Sequence, residues 1–217
     1  KVSRGGALQY GGKVFIKIAT GSLEGIGDNF DTVKKYITAI NSHDGTASLG
    51  FGMTNTTISC SNTFHSAHSS LTSKIRHTMS MKDKIEVLRN ELTAVQEEEK
   101  TLYTLFKNMA NRQATDKDIK NVIQLVTDVD PNLNIKEAKS LFSTRKINQA
   151  QALTIRIAEE TIEKGGSLWG LFSGVTKYTT RDLSTPKREN GVLESKFLGG
   201  AKRIDNKVFS FLTESMN

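Results

Sequence analysis

The hydrophobic pattern of this 217-residue chain changes its period partway along. Ala47, Leu49, Phe51 and Met53 alternate with Ser48, Gly50, Gly52 and Thr54. A period of two gives a strand one apolar face and one face of small residues. KVFIKIAT (13–20) and KKYITAIN (34–41) predict two earlier strands, the first flanked by the Gly-rich stretches RGGALQYGG and GSLEGIGDN. TTIS (56–59) predicts a fourth, after a turn at Asn55. Ser42-His43-Asp44-Gly45 ends the 34–41 strand as a hairpin corner, and connections this short favour an antiparallel meander of about four strands.

From Asn62 the spacing turns helical, with CSNTF as a strand-to-helix junction that Asn62 or Thr63 can cap. Ile85, Leu88, Leu92, Val95, Leu102, Phe106 and Met109 recur at three-four spacing and predict a long helix over 79–112. It would span about 50 Å at 1.5 Å per residue. A second helix is predicted over 115–128, with Thr115 as N-cap and Asp118 closing an acidic capping box, and Asp130-Pro131 breaks the pattern beyond it. NIKEAKSLFST, NQAQALTIRIAEETIEKGG and SLWGLFSGVTKYTTRD predict three more, the middle one stopped by Gly165-Gly166. STPKRENGVLESKFLGG reads as a charged loop before a last helix, AKRIDNKVFSFLTESM. The fold class is α+β: a β-rich basic part over 1–78 and a helical part over 79–217, in one continuous domain.

Composition narrows the class. A hydrophobic content of 36% with two prolines suits a folded chain. No apolar run approaches the ~18 residues of a membrane span, and nothing resembles a signal peptide. The single cysteine rules out an internal disulfide and fits a reducing compartment, so the expected location is the cytoplasm. The first residue is Lys, which suggests that a longer protein lies behind this sequence. Net charge is uneven: +4 over 1–80, −2 over 81–130 and +5 over 131–217. Basic ends around an acid-rich middle suit a polyanion, although solubility alone would also use them.

All four histidines (His43, His65, His68, His77) and Cys60 fall within one window of the chain. Zinc needs three or four ligands, and the window offers no CxxC, no HExxH and no acid between Gly45 and Lys82. Cys60 is followed by Ser-Asn-Thr, a capping sequence, and a lone Cys at a strand end is ordinarily a small core residue. The window therefore reads as three structural junctions, with no metal and no cofactor. RGGALQYGGK is not a phosphate loop, and GSLEGIG does not match the dinucleotide fingerprint. Binding remains. Arg4, Lys13, Lys17, Lys34 and Lys35 interleave with Tyr10, Phe15 and Tyr36, and Lys74, Arg76 and His77 follow. Cations that track phosphates and rings that stack on bases make a single-strand platform. Phe15 and Tyr36 serve equally well as core residues in that strand pattern.

Five phrases occur in order: INSHDGT, ISCSNTF, IRHT (75–78), LWGLFSGVTKY and LGGAKRIDNKVF. On these the chain resembles the phage/plasmid-like protein family, catalogued as domain of unknown function 932, over roughly residues 10 to 212. Thr179-Thr180-Arg181 after Tyr178, and Phe172 in place of Tyr, depart from the family pattern. The resemblance implies a mobile-element origin, a further amino-terminal segment and a location in the host cytoplasm. By analogy with strand-annealing proteins, the expectation is a non-enzymatic single-stranded-DNA-binding protein aiding recombination or replication. Its partners would be single-stranded DNA and further copies in a ring or filament, with no membrane. Phosphate contacts are expected at Arg4, Lys13, Lys17, Lys34, Lys35, Lys74, Arg76 and His77, and stacking at Tyr10 and Tyr36. The alternatives are a structural, self-assembling partner-binding protein built on the 79–112 helix, and a nuclease using the histidine window.

Overall fold

The computed structural model describes residues 2–8, 12–26, 31–43, 49–57, 63–64, 73–75, 83, 86, 90, 101–183 and 191–216. Within these, an antiparallel sheet lies at the amino end and the rest is mostly helical, so the class is α+β. Strands β1 (Val2–Leu8), β2 (Lys13–Ile26), β3 (Asp31–Ser42) and β4 (Leu49–Thr57) pair antiparallel in chain order. Two short strands, β5 (Thr63–Phe64) and β6 (Ser73–Ile75), both pair with β4. Phe15, Ile16 and Ile18 stand opposite Ile40, Ala39 and Ile37 across β2 and β3, the β-branched and aromatic content that suits a pleated surface.

Four local expectations are corrected. RGGALQYGG is not merely a lead-in: Val2–Leu8 is strand β1, with Gly5 and Gly6 opposite Ile16 and Phe15. Glycines pack poorly on their own but can sit beside bulky partners supplied from the next strand. The GSLEG stretch continues β2 through a bulge between Ala19 and Gly21, where Gly21 takes φ 150°, a conformation that favours glycine. No turn occurs at Asn55; it pairs with Lys35 inside an unbroken β4. Finally, Thr63 does not cap a helix: Thr63–Phe64 pairs with β4 at Asn55 and Thr56, and Ser73–Ile75 pairs with it at Leu49–Phe51. Non-local pairing overrides the local spacing in that stretch.

Helix α1 (101–111) carries Leu102, Phe106 and Met109 into the core. Asp83, Glu86 and Asn90, on the same predicted 79–112 stretch, are helical and exposed. Helix α2 (Asp116–Thr127) has the capping box expected from Thr115 and Asp118, and ends on Asp128 in the left-handed region at φ 61°. Helix α3 (Ile135–Leu141) is capped by Asn134, whose side chain accepts from the Lys136 and Glu137 amides. Helix α4 (Thr144–Glu163) stops before Gly165 and Gly166, at φ 65° and 76°. Helix α5 (Leu168–Arg181) is buried along nearly its whole length. The expected 184–200 loop contains helix α6 (Gly191–Leu198), and α7 (Gly200–Glu214) follows. The sequence of α6 lacks an amphipathic stripe strong enough to announce it; its order comes from tertiary contacts with α7.

The core is an aromatic cluster from three helices. Phe106 lies 5.0 Å from Trp169 and 6.1 Å from Phe209, and Phe172 lies 5.5 Å from Phe209, measured between ring centroids. Such tilted pairs add to the stabilisation from area burial. α5 sits in the middle and is buried on nearly all sides, its polar Ser173, Thr176 and Thr179 included. It lies directly on α4: a Cβ at Gly174 would fall 2.5 Å from the Ile157 Cα, and one at Gly170 would fall 2.8 Å from the Thr161 Cα. The end of α1 is laced to the α4–α5 turn by the Ala114 amide to the Gly166 carbonyl and the Leu168 amide to the Arg112 carbonyl, both 2.8 Å. Ile37 and Ala39 of β3 pack against this core and join sheet to helices.

Candidate nucleic-acid interface

Residues directly opposite each other in an antiparallel pair share a face of the sheet. The β3–β4 register runs without interruption from Val33–Thr57 to Ile40–Gly50. It puts positions 34, 36, 38 and 40 on one face and positions 35, 37 and 39 on the other. Lys17 pairs with Thr38, and Arg4 pairs with Lys17, so positions 4 and 17 belong to the first face. Lys13 pairs with Ser42, two residues beyond Ile40, and Lys74 pairs with Gly50, which pairs with Ile40. Five candidate cation positions (4, 13, 17, 34 and 74) and Tyr36 thus share one face. That face is opposite the one on which Ile37 and Ala39 meet the helical core.

Lys35 takes a register position on the core-facing side, opposite Gly21 and Asn55, and so stands apart from the other lysines. Tyr36 is half-buried, opposite Ala19 and Thr54. Phe15, opposite Gly6 and Ile40, lies on the same face as Tyr36. Tyr10, Arg76 and His77 lie outside the described residues, as do Cys60, His65 and His68. His43 is exposed, and its amide donates to the Gly12 carbonyl at 2.8 Å, closing the end of the β2–β3 pair. Among the described residues, no group of three or more His, Cys, Asp or Glu is placed to hold a metal ion.

The helical half holds two charged networks that charge counting did not reveal. Arg156 makes a two-pronged contact to Asp182, Nε to Oδ2 at 2.8 Å and Nη2 to Oδ1 at 3.0 Å, and also reaches Glu159. The hydrogen bonds to Asp182 and then Glu159 hold the guanidinium still further above its ordinary range. Lys177 bridges Glu159 at 3.0 Å and the buried Glu160 at 2.8 Å. Burial lowers the Lys177 pKa, but its bonds to Glu160 and Glu159 outweigh this and raise it. Deeper still, the Lys196 ammonium donates to Asp205 at 2.6 Å and to the Thr179 hydroxyl at 2.7 Å, and Thr179 donates to Asp205 at 2.8 Å. Burial pushes the Asp205 carboxyl up, while Lys196 and Thr179 pull it back down. Every member is closed off from solvent, so this network pins α6 to α5 and α7 and offers no surface for chemistry.

An apolar groove of about 520 Å3 opens between α2, the 129–134 connection, α3 and α4. Its walls include Ile119, Ile123, Leu133, Ile135, Ile147 and Ile155. The three-four spacing of each helix could have suggested the apolar stripes, but not that they leave a space between them. No helix among the described residues is long and apolar enough to cross a membrane.

These features define an α+β protein whose antiparallel sheet rests one face on a helical core and gathers basic positions on the other. The chain matches the family model described as Domain of unknown function (DUF932) over residues 1–197, and it belongs to that family. The matched span ends within α6, so α7 and the whole of the LGGAKRIDNKVF phrase (198–209) lie beyond it. No curated protein and no solved structure matches the chain.

Proposed function

We propose that the chain binds single-stranded nucleic acid, DNA in the first instance, along the face of its sheet opposite Ile37 and Ala39. What supports this is the shared face of positions 4, 13, 17, 34 and 74, with Tyr36 among them. Lys13 and Lys17 lie about 13 Å apart along β2 at 3.3 Å per residue, and neighbouring strands are about 4.8 Å apart. Cations at this spacing can follow a flexible phosphate backbone, and rings between them can stack on bases without regard to sequence. A rigid duplex offers no unstacked base to such a surface. The role needs no hydrolysis. With the family resemblance, it suits annealing or protection of strands during recombination or replication of a mobile element in a host cytoplasm.

The two sides of β3 give an internal control. In fluorescence anisotropy with a labelled oligonucleotide, Lys17→Glu/Lys34→Glu is expected to weaken binding at least tenfold. Lys35→Glu, on the other side, is expected to change it much less. Equal loss from both, or no binding by the unaltered chain at low salt, would remove the sheet face as the site.

A further inference from the structure

The β2–β3 register arranges one face of the sheet in rows. Taken in order along the strands, Lys13 stands opposite Ser42, Phe15 opposite Ile40, Lys17 opposite Thr38, Ala19 opposite Tyr36 and Ser22 opposite Lys34. The rows therefore alternate: cation, ring, cation, ring, cation. Arg4 doubles the middle cation row, because it pairs with Lys17. Successive rows are two residues apart, about 6.7 Å along the strands. No Asp or Glu occupies any of these positions. The ring rows also have small neighbours. Phe15 lies between Gly6 and Ile40, and Tyr36 between Ala19 and Thr54, with Gly6 and Ala19 both exposed. A strand position without a bulky side chain lets a ligand come close to the backbone. The face is the one opposite Ile37 and Ala39, which pack on the helical core, so that packing does not call for a ring at 15 or 36.

We infer that these rows form a track that holds a single strand extended along β2 and β3, with bases on Phe15 and Tyr36 and phosphates at the cation rows before, between and after them. The inference rests on the nucleic-acid reading above and adds the form of strand that fits. A base inside a stacked strand has both faces covered by its neighbours, about 3.4 Å away. Each ring can take a base only by parting that stack. The two ring rows are four residues apart, about 13 Å, and lie on neighbouring strands, so two separate openings are required. Lys17 and Arg4 hold the backbone between them. The cost of opening depends on how strongly the strand stacks on itself, and it is lower for pyrimidine runs than for adenine runs. The favoured substrate class is thus flexible, weakly self-stacked, pyrimidine-rich single strands. The choice is made by the strand's own stacking and not by reading base edges.

The affinities of the unaltered chain for oligo(dT) and oligo(dA) of equal length test this without any substitution. Oligo(dT) is expected to bind about fivefold or more tightly. Phe15→Leu and Tyr36→Leu should each weaken oligo(dT) binding about fivefold or more and leave its salt slope unchanged, since a ring releases no counter-ions. Phe15→Trp keeps a ring and should bind as the parent does, which separates stacking from damage to the sheet. Equal affinity for the two oligonucleotides overturns the track, as do Leu variants that bind oligo(dT) like the parent or a Phe15→Trp that binds as poorly as Phe15→Leu. In those cases a salt slope that Lys17→Glu still makes shallower leaves the phosphate reading standing. Absence of any binding at low salt removes both.

Discussion

At the scale of single residues, the buried Lys196–Asp205 pair makes the sharpest demand on stability. Lys196 is 2% exposed and Asp205 0%, so neither charge can turn to water if its partner is lost. Asp205→Asn leaves an ammonium buried without a counter-charge and is expected to cost about 3–5 kcal/mol in urea unfolding. Replacing both at once, Lys196→Met/Asp205→Leu, is expected to cost far less, because an apolar pair of similar volume needs no desolvation. Comparable losses in the two proteins would mean that the pair contributes shape and not charge. Glu159 gives a different signature. Hydrogen bonds from Lys177 and then Arg156 hold its carboxyl below its ordinary value of 4.5. Its contribution to stability is thus full above 4.5 and fades as the pH falls through the lowered value of the folded state. The difference in melting temperature between the parent chain and Glu159→Gln should be constant above about pH 5, beyond the usual carboxylate range, and shrink in more acid solution. A gap that is flat down to strong acid would contradict the assignment.

At the scale of elements, the junction of α4 and α5 is the tightest contact. The Gly170 and Gly174 positions touch backbone, not flexible side chains, so a methyl group there cannot be absorbed by a rotamer change. Gly174→Ala is expected to cost about 2 kcal/mol or more by pushing the helices apart. Gly200→Ala, where nothing lies within 4 Å, should be neutral or slightly stabilising, as expected for Ala in place of helical Gly. Thermal unfolding of the two variants beside the parent chain distinguishes them. Equal effects would contradict the close approach. The helix ends were legible because their signals are local: Thr115 and Asp118 cap α2 through bonds spanning three residues, and Gly165-Gly166 stops α4 at positive φ. β1, β5, β6 and α6 were not legible. Gly5 and Gly6 become strand residues only because Ile16 and Phe15 stand opposite, and Thr63 pairs with Thr56 instead of capping a helix.

At the scale of the whole molecule, the order of sheet first and helices after could be read from the change of period. The candidate site could be read only as a set of residue types. Arg4, Lys13, Lys17, Lys34 and Lys74 do not share a parity along the chain. What unites them is pairing between strands: Arg4 with Lys17, Lys17 with Thr38, Lys13 with Ser42, and Lys74 with Gly50, which faces Ile40. The same pairing takes Lys35 out of the set, a separation that adjacency to Lys34 conceals. The groove likewise exists only once α2, α3 and α4 are assembled.

The central claim is that cations on one sheet face hold the phosphates of a single strand, and counter-ion release measures this most directly. Affinity for a labelled single-stranded oligonucleotide should be followed against salt concentration. Each phosphate contact contributes about −0.7 to the slope of log affinity on log salt, so five contacts predict a slope of about −3.5. Lys17→Glu should make that slope shallower by about one contact's share. A slope near zero, or one that Lys17→Glu leaves unchanged, would contradict binding by this face.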